Sequence, residues 1–331
     1  MRFTRFMYVA LMATAPTLLA AQGGQAQQPP ATDTVTPAIA GVCAAGTKVM
    51  VIKSGFQGTE GPIGMPDGSL IFTETQANRI TRIAADGTTS TFLENTNGAN
   101  GLGWDAKGRL ISVQTTPGQT KIGVLYPKGA EATLSDSLDG KPFGRPNDLV
   151  VSMKGAIYFT DPGPNVTPGA PPPATPPLPP AVYYVAPGGK AVKVADAIER
   201  PNGITLSRDE KTLYVNNTSG EYLLAFDVKP DGTLTNRRNF AKYQGATTGP
   251  TGVTSGADGL VIDEQGRVYA ATSGGVEVFD AKGTYLGTIP LSRAPQNLAF
   301  AGKDKKTLYV VGRGSAFKVD LMTPGFKGRG K

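Results

Sequence analysis

GRPNDLVVSMKGAIYFTDPG, Gly144 to Gly163, compresses a polar cluster, an apolar strand, a turn and a second apolar strand into one hairpin. Arg145, Asn147 and Asp148 stand directly before Leu149-Val150-Val151, where polar atoms are costly unless they face a cavity, a ligand or a metal. The same pattern recurs along the chain. Its members begin at Glu60 (GPIGMPDGSLIFTE), Asn100 (GLGWDAKGRLISVQ), Asn147 (DLVVSMKGAIYFTD), Asn202 (GITLSRDEKTLYVNN), Asp258 (GLVIDEQGRVYAAT) and Asn297 (LAFAGKDKKTLYVVG). They lie 40, 47, 55, 56 and 39 residues apart, close to the roughly 40 to 50 residues of a four-stranded propeller blade. The hairpin is one blade among six.

Each repeat continues into a second pair of strands. After Thr73 come Arg79 to Ile83, an Asp86-Gly87 turn and Thr89 to Leu93; after Asn217 come Tyr222 to Val228 and an Asp231-Gly232 turn. Asp-Gly supplies the positive backbone angles that tight hairpins need. No long segment has helical periodicity beyond the N-terminal apolar run, and Gly 43 with Pro 27 suits many short strands. The expected fold is all-β, a six-bladed propeller over 46–323 with a central metal site. Val49 to Ile52 and Ala316 to Leu321 are expected to share one blade and close the ring, removing free sheet edges. Asn165 to Pro180, too rich in proline for a sheet interior, is expected as a surface excursion of the third blade.

Residues 1–26 have the form of an export signal: Arg2 and Arg5, an apolar run from Phe6 to Leu19, then small residues. The run is too short to span a bilayer, so a periplasmic or secreted protein with no stable membrane anchor is expected. Residues 27–45 are read as a flexible linker and 324–331 as a basic tail. Without Arg2, Arg5, Lys327, Arg329 and Lys331, the formal charge of +7 falls to +2, which argues against a nucleic-acid partner and leaves a small molecule. Cys43 is the single cysteine, read as a half-buried bystander, and there is no histidine. That absence excludes Ser-His-Asp and Cys-His catalysis and His-ligated zinc.

Equivalent positions of all blades face one axis, so Glu60, Asn100, Asn147, Asn202, Asp258 and Asn297 should converge. All six offer oxygen, and the two carboxylates would balance a hard divalent cation. Calcium is the first choice, with magnesium or manganese next and zinc last. For any single Asn, capping of a turn is the better explanation; recurrence at one repeat position is what favours a site. Asn100 and Asn297 are the most dispensable members.

EGP at Glu60, RPND at 145–148, YFTDP at 158–162, RPNG at 200–203 and ADG at 257–259 together resemble the SMP-30/gluconolactonase family of six-bladed propellers, from about Gly55 to Leu321. The resemblance implies hydrolysis of sugar lactones or related cyclic esters, with a metal held by Glu60, Asn202 and Asp258. Asn147 would either join the metal or bind substrate beside it, Arg145 would orient the substrate, and Asp258 would serve as general base. A His-containing phrase common among gluconolactonase-like members is replaced here by SVQTTPGQ, 112–119, so substrate preference is expected to differ. The alternatives are a non-catalytic ligand- or protein-binding propeller with a structural metal, and an esterase or phosphotriesterase using the same site.

Overall fold

The computed structural model describes residues 30–164, 177–250 and 252–329. Among them there is no helix; five four-stranded antiparallel sheets and one of five strands make the blades, with two short two-stranded sheets beside them. Blades 1 to 5 span 59–94, 99–135, 149–195, 201–242 and 260–289, each running from its inner strand outward in chain order. Blade 6 takes three strands from 297–320 and its fourth, Lys48–Ser54, from near the N-terminus. Met50 pairs with Lys318 and Val51 with Phe317, so the ring closes as the sequence implied. The six innermost strands touch one another in sequence around the axis, the sixth meeting the first.

Both faces of each sheet are covered, which explains why the strands read as apolar runs instead of alternating. In the opening hairpin, Leu149 and Val151 pack with Ile111, Val113 and Val124 of blade 2. Val150, pointing the opposite way, packs with Ile204, Leu213 and Val215 of blade 4. Such a cluster fills every gap between blades. At roughly 25 cal/mol per Å² of buried apolar surface, these interleaved clusters are the main stabilising term.

Inner strands also bond directly to their neighbours. The amide of Gly101 donates to the Asn147 carbonyl at 3.0 Å and that of Gly203 to the Asp258 carbonyl at 3.0 Å. This approach is why the repeat places glycine after the polar residue: a Cβ at Gly203 would lie 2.1 Å from the Asp258 carbonyl oxygen.

Strand alternation sorts the loops onto two faces. The side where the inner strands begin receives the long connections, including 136–148 and those that leave Asp161 and Lys242. The opposite side has short turns such as 65–69 and 263–267. Asp161 pairs with Ala181, so the proline-rich segment leaves and rejoins blade 3 at one point on the first side; its residues 165–176 lie outside the described set.

Two expectations need correction. Residues 31–45 do not stand free as a linker: Thr34–Val35 pairs with Lys48 and Val49, and Ile39, Val42 and Cys43 enter the cluster between blades 5 and 6. Apolar side chains at these positions offset the cost of ordering the segment, and Cys43 is buried rather than half-buried. The C-terminal tail is likewise docked, up to Arg329. The Phe326 amide bonds the Ile262 carbonyl, the Lys327 amide bonds Glu264, and the Arg329 guanidinium bonds the carbonyls of Leu206 and Ser207. Lys305 donates to the carbonyls of Phe326 and Arg329. The expected export signal falls outside the described residues.

Candidate metal centre and active site

Glu60, Asn100, Asn147, Asn202, Asp258 and Asn297 all lie within two residues of the start of the six inner strands. Five are buried, and Asp258 is half-buried. The side-chain oxygens Oδ1 of Asn100, Asn147, Asn202 and Asp258 are buried without any hydrogen-bond partner. A buried polar group left unsatisfied costs about 1–3 kcal/mol. Four of them, from four consecutive blades, therefore mark a place shaped for something that accepts oxygen donors.

Asn202 and Glu60 are anchored by their neighbours. Asn202 donates through Nδ2 to Thr218 Oγ1 at 3.1 Å, and Thr218 in turn donates to the Ala257 carbonyl at 2.7 Å. Glu60 accepts from Gln296 Nε2 at 3.1 Å and, at the outer limit of a hydrogen bond, from Asn297 Nδ2 at 3.5 Å. Asn297 spends its oxygen on the Leu298 amide, 2.9 Å, so this member of the ring supports Glu60 instead of presenting an acceptor. Asn100, which the sequence ranked with Asn297, differs in having a free acceptor.

The electrostatics also favour a cation. Burial raises the Glu60 carboxyl to about 7, reinforced by the charge of Asp148 and opposed by Asn297, Arg145 and Gln296. Burial likewise pushes Asp258 well above the carboxylate range, reinforced by Glu60 and Asp148 and opposed by Arg313 and Arg200. Two desolvated carboxylates repelling each other are stabilised by a shared positive ion. Among the described residues no group of three or more His, Cys, Asp or Glu side chains is arranged for metal. The donor set is carboxylate and amide oxygen, which fits a hard cation such as calcium and not zinc.

Asp258 is held from behind. Its carbonyl accepts from the Gly203 amide and from Asn216 Nδ2 at 2.6 Å; the same Nδ2 reaches the Gly259 carbonyl at 3.1 Å. The fully buried Tyr243 donates its hydroxyl to Asn216 Oδ1 at 2.8 Å. In blades 1 and 3 this place is taken by threonines, Thr73 and Thr160, whose hydroxyls bond the carbonyls of Asn100 and Asn202 at 3.0 and 2.6 Å. Asn216 and Gln296 escaped the sequence reading. The available signal was the penultimate position of the second strand, where Thr73, Thr160 and Asn216 stand within otherwise apolar runs.

Arg145 is placed at the same mouth. Its amide, with those of Gly144 and Gly163, is taken by the Asp161 carboxylate, and its Nε is buried without a partner. It also walls a cleft of about 900 Å³ bordered by Gln119, Lys121, Phe143, Pro164 and Pro177.

Comparison with known proteins places this geometry among relatives. A family model described as the SMP-30/Gluconolactonase/LRE-like region matches residues 58–313. A gluconolactonase of Zymomonas mobilis is 28% identical over 316 residues, covering 88% of this chain and 86% of that protein. The solved structure of a gluconolactonase from Xanthomonas campestris superposes with a TM-score of 0.75 at 28% identity, covering 89% of this chain and 98% of the other. Regucalcin from Agrobacterium tumefaciens, described as a calcium-binding protein, shares the fold with a TM-score of 0.65 at 19% identity, covering 87% of this chain and 98% of that one.

Proposed function

The chain belongs to the SMP-30/gluconolactonase/LRE-like family, and we propose that, as a member of it, the protein is a lactone hydrolase whose reaction depends on one divalent cation, calcium first among the candidates. The observation that carries the metal dependence is the set of partnerless buried oxygens on Asn100, Asn147, Asn202 and Asp258, next to the Glu60 carboxylate. Glu60, Asn147, Asn202 and Asp258 would hold the ion, with Asn100 beside them. Bound there, it would supply Lewis-acid polarisation of the lactone carbonyl and bring water to the site.

The chain's own groups do the rest. Asp258, a carboxylate at the channel mouth fixed through its backbone by Asn216, takes the proton of the attacking water as general base. Arg145 presents donors to the substrate's hydroxyls or to the carboxylate of the opened product. Asn147, two residues on, bonds the substrate or the ion through its partnerless side-chain oxygen. Packed inner strands surround these groups and keep the local dielectric low, which strengthens each interaction. Residues 1–26 direct the protein to the periplasm or outside the cell in this reading, where its small-molecule substrate is met.

A substrate panel tests the reaction class. Aldonolactones, linear esters and phosphotriesters are assayed side by side with the purified protein, with the expectation that lactones give the highest kcat/KM. Preferred turnover of linear esters or phosphotriesters would overturn the assignment.

A further inference from the structure

We propose that Arg145 and Arg200 form a carboxylate-binding subsite at the channel mouth, so that the substrate class is a lactone bearing a carboxylate outside its ring, as a dicarboxylic sugar acid yields; this rests on the lactonase reading of the site. The argument starts from a duplication. Arg-Pro-Asn occurs at 145–147 and again at 200–202, in the same place of two adjacent blades. In both, the arginine amide is pinned by the last residue of that blade's own second strand: Arg145 N to Asp161 Oδ1 at 2.9 Å, Arg200 N to Asn217 Oδ1 at 3.1 Å. The two guanidinium groups thus leave the ring from equivalent points, each two residues ahead of an asparagine with a partnerless oxygen.

Neither guanidinium belongs to an ion pair found among the described residues. Asp161 is near Arg145, but its two oxygens already take three backbone amides. Glu60 and Asp258 attract Arg145 from across the mouth, yet their charge is what a bound cation would consume. Arg200 is among the charges that act on Arg145, and the two cations repel each other. Two neighbouring like charges become more favourable when an anion sits between them, and the planar guanidinium fork fits a carboxylate. The cleft of about 900 Å³ walled by Arg145 gives room for a substrate arm.

The test is calorimetric binding of glucarate, gluconate and sorbitol to the purified, metal-loaded protein. These ligands carry two, one and no carboxylates, and none can be hydrolysed. Glucarate is expected to bind roughly ten-fold or more tightly than gluconate, equivalent to about 1.4 kcal/mol. The preference should shrink at high salt, collapse in Arg200→Gln and survive in part in Arg200→Lys. Equal binding of glucarate and gluconate, or an undiminished preference in a folded Arg200→Gln protein, overturns the subsite. The same proteins are then assayed on glucarolactone and gluconolactone, where a lower KM for the acidic lactone is expected. If neither lactone is turned over while the glucarate preference persists, the lactonase reading fails and the subsite stands.

Discussion

In the proposed reaction Asp258 concentrates the chemistry in one side chain. It stands at a place where burial and the charges of Glu60 and Asp148 oppose its ionisation. Asp258→Asn keeps the shape and removes the proton acceptor, so kcat is expected to fall about 10²- to 10⁴-fold. The chelated variant should melt no lower than chelated wild type, because a repelled buried charge has gone; a differential scan with stopped assays measures both. Tyr243 acts on the same residue from behind. Tyr243→Phe leaves Asn216 short of one hydrogen bond, at a cost of about 1–3 kcal/mol for the unsatisfied acceptor. If the pair positions Asp258, kcat falls with KM little changed; a drop in melting temperature alone would mark it as purely structural. Sequence recurrence exposed Asp258 because every repeat begins with an oxygen-bearing residue. Asn216 stayed hidden because its role is a contact with the next blade, which no single repeat displays. Asn100 and Asn297 looked alike in sequence and differ only in where their oxygens go.

At the scale of the element, the blade owes its cohesion to apolar runs and its shape to a few buried polar residues. Glu74 ends the second strand of blade 1, fully buried, accepting from Arg79 Nε at 2.8 Å, Thr81 Oγ1 at 2.5 Å and the Gln57 amide at 2.8 Å. Burial works to raise this carboxyl, but the bonds from Arg79, Thr81 and Gln57 together outweigh it and hold it below the usual range. A depressed folded-state value stabilises the protein above the ordinary glutamate range, and the benefit is lost as pH falls through the folded value. Urea melts across acid pH should therefore show Glu74→Gln clearly less stable than wild type near neutrality, with the gap closing in acid; a constant gap would refute the ionised form. Gly203→Ala probes the contact between blades. With a Cβ 2.1 Å from the Asp258 carbonyl oxygen, it should cost about 1–3 kcal/mol by overpacking and lower activity by displacing Asp258. The hairpin pattern was readable because strand, turn and strand are local. The pinning residues were not, since Glu74 and Asp161 serve amides far upstream of themselves in sequence.

For the whole molecule, ring closure decides whether six hairpin pairs become one site. The fourth strand of blade 6 comes from Lys48–Ser54, preceded by a segment whose Ile39 and Val42 fill the cluster between blades 5 and 6. Composition made 27–45 look like a linker, because its glutamine, proline and alanine are polar or small. The few apolar residues that dock it are legible only once their partners in the last two blades are known. A chain beginning after Ser54 should lose cooperative thermal unfolding, since blade 6 then has an open edge and the inner strands are no longer held in a circle. Closure matters to function because the oxygens of Glu60, Asn100, Asn147, Asn202 and Asp258 come from five blades and meet only in the intact ring. The most direct test of the account is lactone hydrolysis by chelated protein titrated with calcium and, separately, magnesium and manganese. The account predicts negligible turnover without metal and recovery that saturates at one ion per chain; full-rate hydrolysis by the metal-free protein would contradict it.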